Sequence, residues 1–123
     1  MEQKHAWGRV AGDVLAVTYP ESTTNSGHVM IVRNVPVVDS GLPAGPSGST
    51  AYAVEVVDST ETPHGTSTTY ADWRGGDTGE GLGHGTFVLY ANSSGTIVAS
   101  RWSPTDPTLF DTTDHPLAVG GLN

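Results

Sequence analysis

Alternation of apolar and polar positions marks this chain as a succession of short strands. Residues 14–19 form the first apolar run. Over residues 28–33, His28, Met30 and Val32 fall on one face and Val29, Ile31 and Arg33 on the other, the two-residue period of a strand. Residues 51–58 predict a third strand with Tyr52, Val54, Val56 and Asp58 on one side. Residues 85–91 and 96–102 flank Asn92-Ser93-Ser94-Gly95, which predicts a hairpin. Leu117-Ala118-Val119 predicts one more short strand.

The intervening segments are polar. Residues 20–26 read as a turn. Residues 34–50 carry Pro36, Gly41, Pro43, Gly45, Pro46 and Gly48 and predict a long surface loop. Residues 59–83 are again polar and glycine-rich, and loops of that length usually serve a function or move. The pattern therefore predicts five or six antiparallel strands and two long loops. Residues 1–11 read as a tail or the remnant of a preceding element, and residues 12–123 as a single β-rich domain.

Composition supports strands over helices. The 123 residues include 16 glycines, 8 prolines and one lysine, and are rich in threonine, valine and serine. Long helices favour Ala, Leu, Glu, Lys and Arg. Thirteen acidic against five basic residues give a net charge of -8. That balance argues against nucleic acid and against an anionic membrane surface, both of which are bound through Lys and Arg. No apolar run approaches the ~18 residues of a membrane helix, and the polar start Met1-Glu2-Gln3-Lys4-His5 does not read as a signal peptide. The compartment is left open. With no cysteine, the 123 residues supply neither a disulfide, nor a thiolate metal site, nor a thiol nucleophile.

The candidate chemistry lies at two strand ends. His28 opens one predicted strand and Asp58 closes the next, so in adjacent antiparallel strands the two side chains can face each other across the ladder. A carboxylate bonded to one imidazole nitrogen fixes the tautomer, and the other nitrogen is free to take a proton from a nucleophile. His28 and Asp58 would be the base and its orienter. A surface hydrogen bond without catalysis is the plainer alternative.

Gly12-Asp13-Val14-Leu15, a polar turn, and Ser26-Gly27-His28-Val29-Met30-Ile31-Val32 resemble the segment around the catalytic histidine of NlpC-type papain-like cysteine hydrolases, with the CHAP amidases a more distant likeness. Val56-Val57-Asp58-Ser59 resembles the segment that carries the third polar residue. The resemblance implies an α+β family fold of which this chain is the mostly antiparallel sheet portion. It implies His28 as general base, Asp58 as orienter, and amide hydrolysis of peptidoglycan or another peptide-like substrate, with no cofactor. The family's cysteine sits on a helix before the Gly-Asp turn, so it would come from upstream sequence, or the domain would be nucleophile-free. A sheet without its covering helices would expose an apolar face and self-associate, or complete itself with another chain.

Other residues invite other chemistry. Ser22 and Ser26 lie in the turn beside His28, and a two-residue spacing between nucleophile and base seldom allows attack geometry. His5, His28, His64, His84 and His115 show no close ligand spacing, and Asp77-x-x-Glu80 lacks the alternating ligands of a calcium loop, so no metal is expected. The glycines of residues 75–83 have no lysine and no following helix, which excludes a phosphate cradle and leaves a flap or a plain loop. Trp7, Trp73, Trp102, Tyr19, Tyr70 and Tyr90 are candidates to line a groove in a non-catalytic module for peptide, glycan or protein, Trp73 foremost.

Overall fold

In β1 (Val14–Thr18) and β2 (Gly27–Val32) the alternating apolar residues Leu15, Val17, Met30 and Val32 all turn to one side and are buried. The computed structural model that shows this describes residues 11–65, 67, 69–74 and 81–121. The predicted tail, His5, Trp7 and the acidic pair Asp77 and Glu80 lie outside those residues, apart from Ala11 at the tail's end.

The other elements are β3 (Val37–Val38), β4 (Thr50–Thr60), β5 (Trp73–Arg74), β6 (Gly81–Ala91), β7 (Ile97–Arg101), β8 (Phe110–Asp111) and β9 (Leu117–Gly120). All pairings are antiparallel, in the order β8-β7-β6-β4-β2-β1-β9, with β3 beside β4 and β5 beside β6. The six strands expected from periodicity are all present. β3, β5 and β8 raise the count among the described residues to nine, each adding only two residues, too few to show a period. No helix occurs among the described residues, so none there is long and apolar enough to cross a membrane.

The sheet curls around its main core, as strongly twisted antiparallel sheets do. Leu15, Val17, Met30, Val32, Val54, Val56, Phe87 and Leu89 meet on the concave side, with Tyr19, Trp102 and Leu117 packed against them. The inner face thus buries itself without helices. Exposed apolar side chains lie on the outer face instead, at Val29, Ile31 and Val37.

Part of the outer face is also covered. Leu42, Ala53, Val88, Tyr90 and Ala99 form a second core, closed by the Pro- and Gly-rich segment after β3. Burial on both faces explains why β6 reads as a continuous apolar run from Phe87 to Ala91. The covering segment is tied down by polar contacts. Tyr90 donates its hydroxyl to the Pro43 carbonyl at 2.6 Å, and Arg101 donates Nε to that hydroxyl at 2.8 Å and Nη2 to the Ala44 carbonyl at 2.9 Å. Gly45 lies flat on the Tyr90 ring, so a Cβ there would fall 2.2 Å from a ring carbon. Tyr90 is fully buried and cannot yield. Gly45→Ala is therefore expected to destabilise the fold by about 1–3 kcal/mol, the range of core overpacking. A lowered urea midpoint with an unchanged m-value would show it.

Candidate functional site

β2 and β4 pair directly only at Ile31↔Val57 and Val32↔Val56. Continuing that register sets Asp58 opposite Met30, and His28 one diagonal step further along the same face. The expected juxtaposition of His28 and Asp58 is therefore present, but diagonal where direct opposition was expected. The ladder stops at Val57, the strands part, and the two side chains meet in the gap, with His28 Nε2 at 2.7 Å from Asp58 Oδ2.

Asp58 is the hub of a larger cluster. Its side chain is fully buried. Oδ2 also receives His64 Nε2 at 2.6 Å, while Oδ1 accepts from Arg74 Nη2 at 2.7 Å. Arg74 Nη1 donates to the carbonyls of Asp58 and Gly81 at 2.9 and 2.8 Å. Asp72 completes the ring: Oδ2 accepts from Arg74 Nη2 at 3.0 Å and from the His64 backbone N–H at 2.8 Å. Arg74 Nε lies 2.7 Å from Asp72 Oδ1, an ionic contact without hydrogen-bond alignment. Gly85 makes the closure possible, because a Cβ there would sit 2.3 Å from Asp72 Oδ2.

The electrostatics follow from this packing. Burial alone would raise the Asp58 carboxyl. The hydrogen bonds from His28 and His64, the charge of His64 and the Arg74 guanidinium outweigh it and hold Asp58 well below the usual carboxylate range.

His64 comes from the loop after β4. Nδ1 lies 2.7 Å from the Trp102 carbonyl, and the ring stacks on the Trp102 indole with centroids 4.0 Å apart. Trp102 in turn donates its indole N–H to the carbonyls of Thr62 and Pro63 at 3.2 and 3.0 Å, stapling the loop beneath it. His28 presents its ring to Trp102 at 5.1 Å and keeps 14% of its side-chain surface exposed. Its Nδ1 has no hydrogen-bond partner among the described residues, and His28 lines a polar cleft with Thr24, Asn25, Ser59, Thr60, Glu61 and Thr62.

Sequence spacing missed His64, Asp72 and Arg74 as site residues. The helical ligand spacings sought among the histidines do not apply to a strand end and a loop. His28, Asp58 and His64 offer ligand atoms within 4.8 Å of one another, so they could hold a metal ion. The nitrogen-to-carboxylate distances of 2.7 and 2.6 Å are those of hydrogen bonds. Ligands around a tetrahedral zinc with bonds of about 2.0–2.2 Å stand wider, beyond about 3 Å.

The remaining candidates are elsewhere. Ser22 Oγ accepts from the Thr24 and Asn25 amides at 3.3 and 3.0 Å and is spent on its own turn. His115 pairs with Glu21 at 2.9 Å. His84 lies on the outer face, where Arg33 Nη1 is 3.0 Å from its Nδ1 and 2.6 Å from Glu55 Oε2. Trp73, 65% exposed, lines an outer cleft with Asn34, Val35, Val37, Glu55 and Tyr70. It therefore stands across the sheet from His28 and not in the same cleft. Trp102 and Tyr90 are packed inside, and Tyr70 donates its hydroxyl to Asp39.

No protein-family model and no solved structure matches the chain. It is 34% identical to an uncharacterized protein of Acanthamoeba polyphaga mimivirus, over 91% of this chain and 52% of that protein. The chain thus spans about half the length of the curated relative it matches.

Proposed function

We propose that this domain is the base-bearing sheet of a papain-like amide hydrolase whose thiol comes from sequence outside residues 1–123. One observation carries the reading: His28 lines a polar cleft and is held through Nε2 by a buried, anchored carboxylate, while Nδ1 has no hydrogen-bond partner among the described residues. A ring so held has one nitrogen committed as donor and the other available as base.

The chemistry would run through that free nitrogen. Nδ1 accepts the thiol proton, the thiolate attacks the carbonyl carbon, and the imidazolium returns the proton to the departing amine. Water then cleaves the thioester with Nδ1 again as base. Peptide-like substrates, peptidoglycan stem peptides among them, are the class the sequence resemblance favours. The acidic chain is not suited to nucleic acid.

The test is to express the chain joined to its in-frame upstream segment and assay release of amines from peptidoglycan. Activity that needs both an upstream cysteine and His28 is expected. Hydrolysis that survives loss of either overturns the proposal.

A second reading has its own observation, the exposed Trp73 beside the outer cleft. An aromatic face flanked by Asn34 and Glu55 suits a glycan or peptide partner. Glycan-array or peptide binding lost in Trp73→Ala but kept in His28→Ala would support it, and binding insensitive to Trp73→Ala would dismiss it.

A further inference from the structure

His64 is fully buried, and neither nitrogen of its ring is free. The Trp102 carbonyl can only accept, so Nδ1 carries a proton. The ionised Asp58 carboxylate can only accept as well, so Nε2 also carries one. His64 with both nitrogens protonated is an imidazolium inside the protein. A buried cation needs a counter-charge, and one is present: Asp58 and Asp72 carry two negative charges, Arg74 and His64 two positive ones. No other charged side chain contacts His64 among the described residues. His28, the remaining ring in the cluster, can then stay neutral.

We infer that His64 is a positioning residue, a buried imidazolium that pins Asp58 Oδ2 against His28 Nε2 and so leaves the lone pair of His28 on Nδ1, facing the cleft. The two carboxylate oxygens of Asp58 have three donor contacts to place. Arg74 takes Oδ1 and the backbone carbonyl, which fixes one end of the carboxylate. His64 takes Oδ2 from below, with its own ring clamped by stacking on Trp102 and by the Asp72 bond to its backbone N–H. The second donor at Oδ2 is His28 on β2. Without His64 the carboxylate could rotate toward Arg74, and His28 would lose the acceptor that selects its tautomer.

The inference rests on the proposed role of His28 for its meaning, but not for its test. Tautomers are read without any hydrolysis, so this idea and the hydrolase reading fail separately. In the 123-residue chain with 15N-labelled histidine, long-range nitrogen–proton NMR at neutral pH is expected to show both His64 nitrogens protonated and His28 protonated at Nε2 only. A bare nitrogen on His64, or a proton on His28 Nδ1 in place of Nε2, overturns the inference, and needs no variant that might misfold.

Two variants then separate positioning from packing. His64→Gln can still donate an amide N–H to Asp58, and is expected to keep the Nε2–H form of His28. His64→Leu fills similar space without a donor, and is expected to yield a mixture of both His28 tautomers while the backbone spectrum stays native. A single Nε2–H tautomer in a folded His64→Leu chain overturns the role. Zinc is the remaining control. Stoichiometric Zn2+ is expected to leave both rings unchanged, and uptake of one equivalent that shifts both Nε2 signals would replace the proton network with a metal site.

Discussion

Asp58→Asn is expected to lower stability at neutral pH by about 3–5 kcal/mol, the cost of stranding buried charges by removing one partner. The amide keeps the shape of the carboxylate and removes its charge. Arg74, with 1% of its side chain exposed, would retain Asp72 as its one carboxylate partner among the described residues, and His64 would lose the negative charge facing its Nε2. One of the two amide positions must also present N–H groups to donors. Domains of this size are stable by only about 5–15 kcal/mol, so the loss is a large share. Glu55→Gln is the contrast. Glu55 and Arg33 form an equally close pair at 2.6 Å, but with 31% and 46% of their side chains exposed. An exposed pair of that kind contributes about 0–1 kcal/mol. Urea unfolding followed by tryptophan fluorescence compares the two, since Trp102 stacks on His64. Equal losses would mean that burial of the cluster does not set its weight.

The same residue fixes the sign of the acid response. Asp58 titrates in the folded chain below its ordinary value of 3.8. Its contribution is therefore complete above that value, and is lost as pH falls toward the folded one. The gap between the parent chain and Asp58→Asn should be full at neutral pH and shrink below about pH 4, because acid removes from the parent the charge the variant already lacks. A gap unchanged down to pH 2 would place the depressed titration elsewhere, at Glu21 or Asp39, which are lowered by hydrogen bonds from His115 and Tyr70 respectively.

Periodicity made the sheet legible and the site only half so. Alternation in β2 and β4 put His28, Met30 and Val32 on one face and Val54, Val56 and Asp58 on its neighbour, and all of them turn to the concave side. That is a local property, and local properties survive in sequence. The diagonal offset of His28 is not local, because register depends on where the β2–β4 ladder ends. His64, Asp72 and Arg74 were harder still. They lie in a polar, turn-rich stretch whose composition reads as solvent-facing, yet His64 is completely buried. Its burial comes from Trp102, 38 residues on, and from the bare edge that Gly85 gives β6. The same holds for the segment closing on Tyr90: its prolines and glycines read as a surface loop, while Gly45 reads as a packing residue only once the ring beneath it is known.

His28→Ala carries the largest expected effect on rate. In the chain joined to a thiol-bearing upstream segment, it should reduce amide hydrolysis by about 10³–10⁴-fold, since on the proposed mechanism it removes the general base and the proton donor to the leaving amine together. Stability should change little by comparison. His28 makes one side-chain hydrogen bond among the described residues and is partly open to the cleft, whereas Asp58 keeps His64 and Arg74 after its loss. The split matters because Asp58→Asn is expected to damage both quantities. A rate loss in His28→Ala that merely tracks a fall in stability would assign His28 to the fold. A rate loss at an unchanged urea midpoint would assign it to the reaction, and added imidazole, which fits the space vacated at the cleft, should then recover part of the activity.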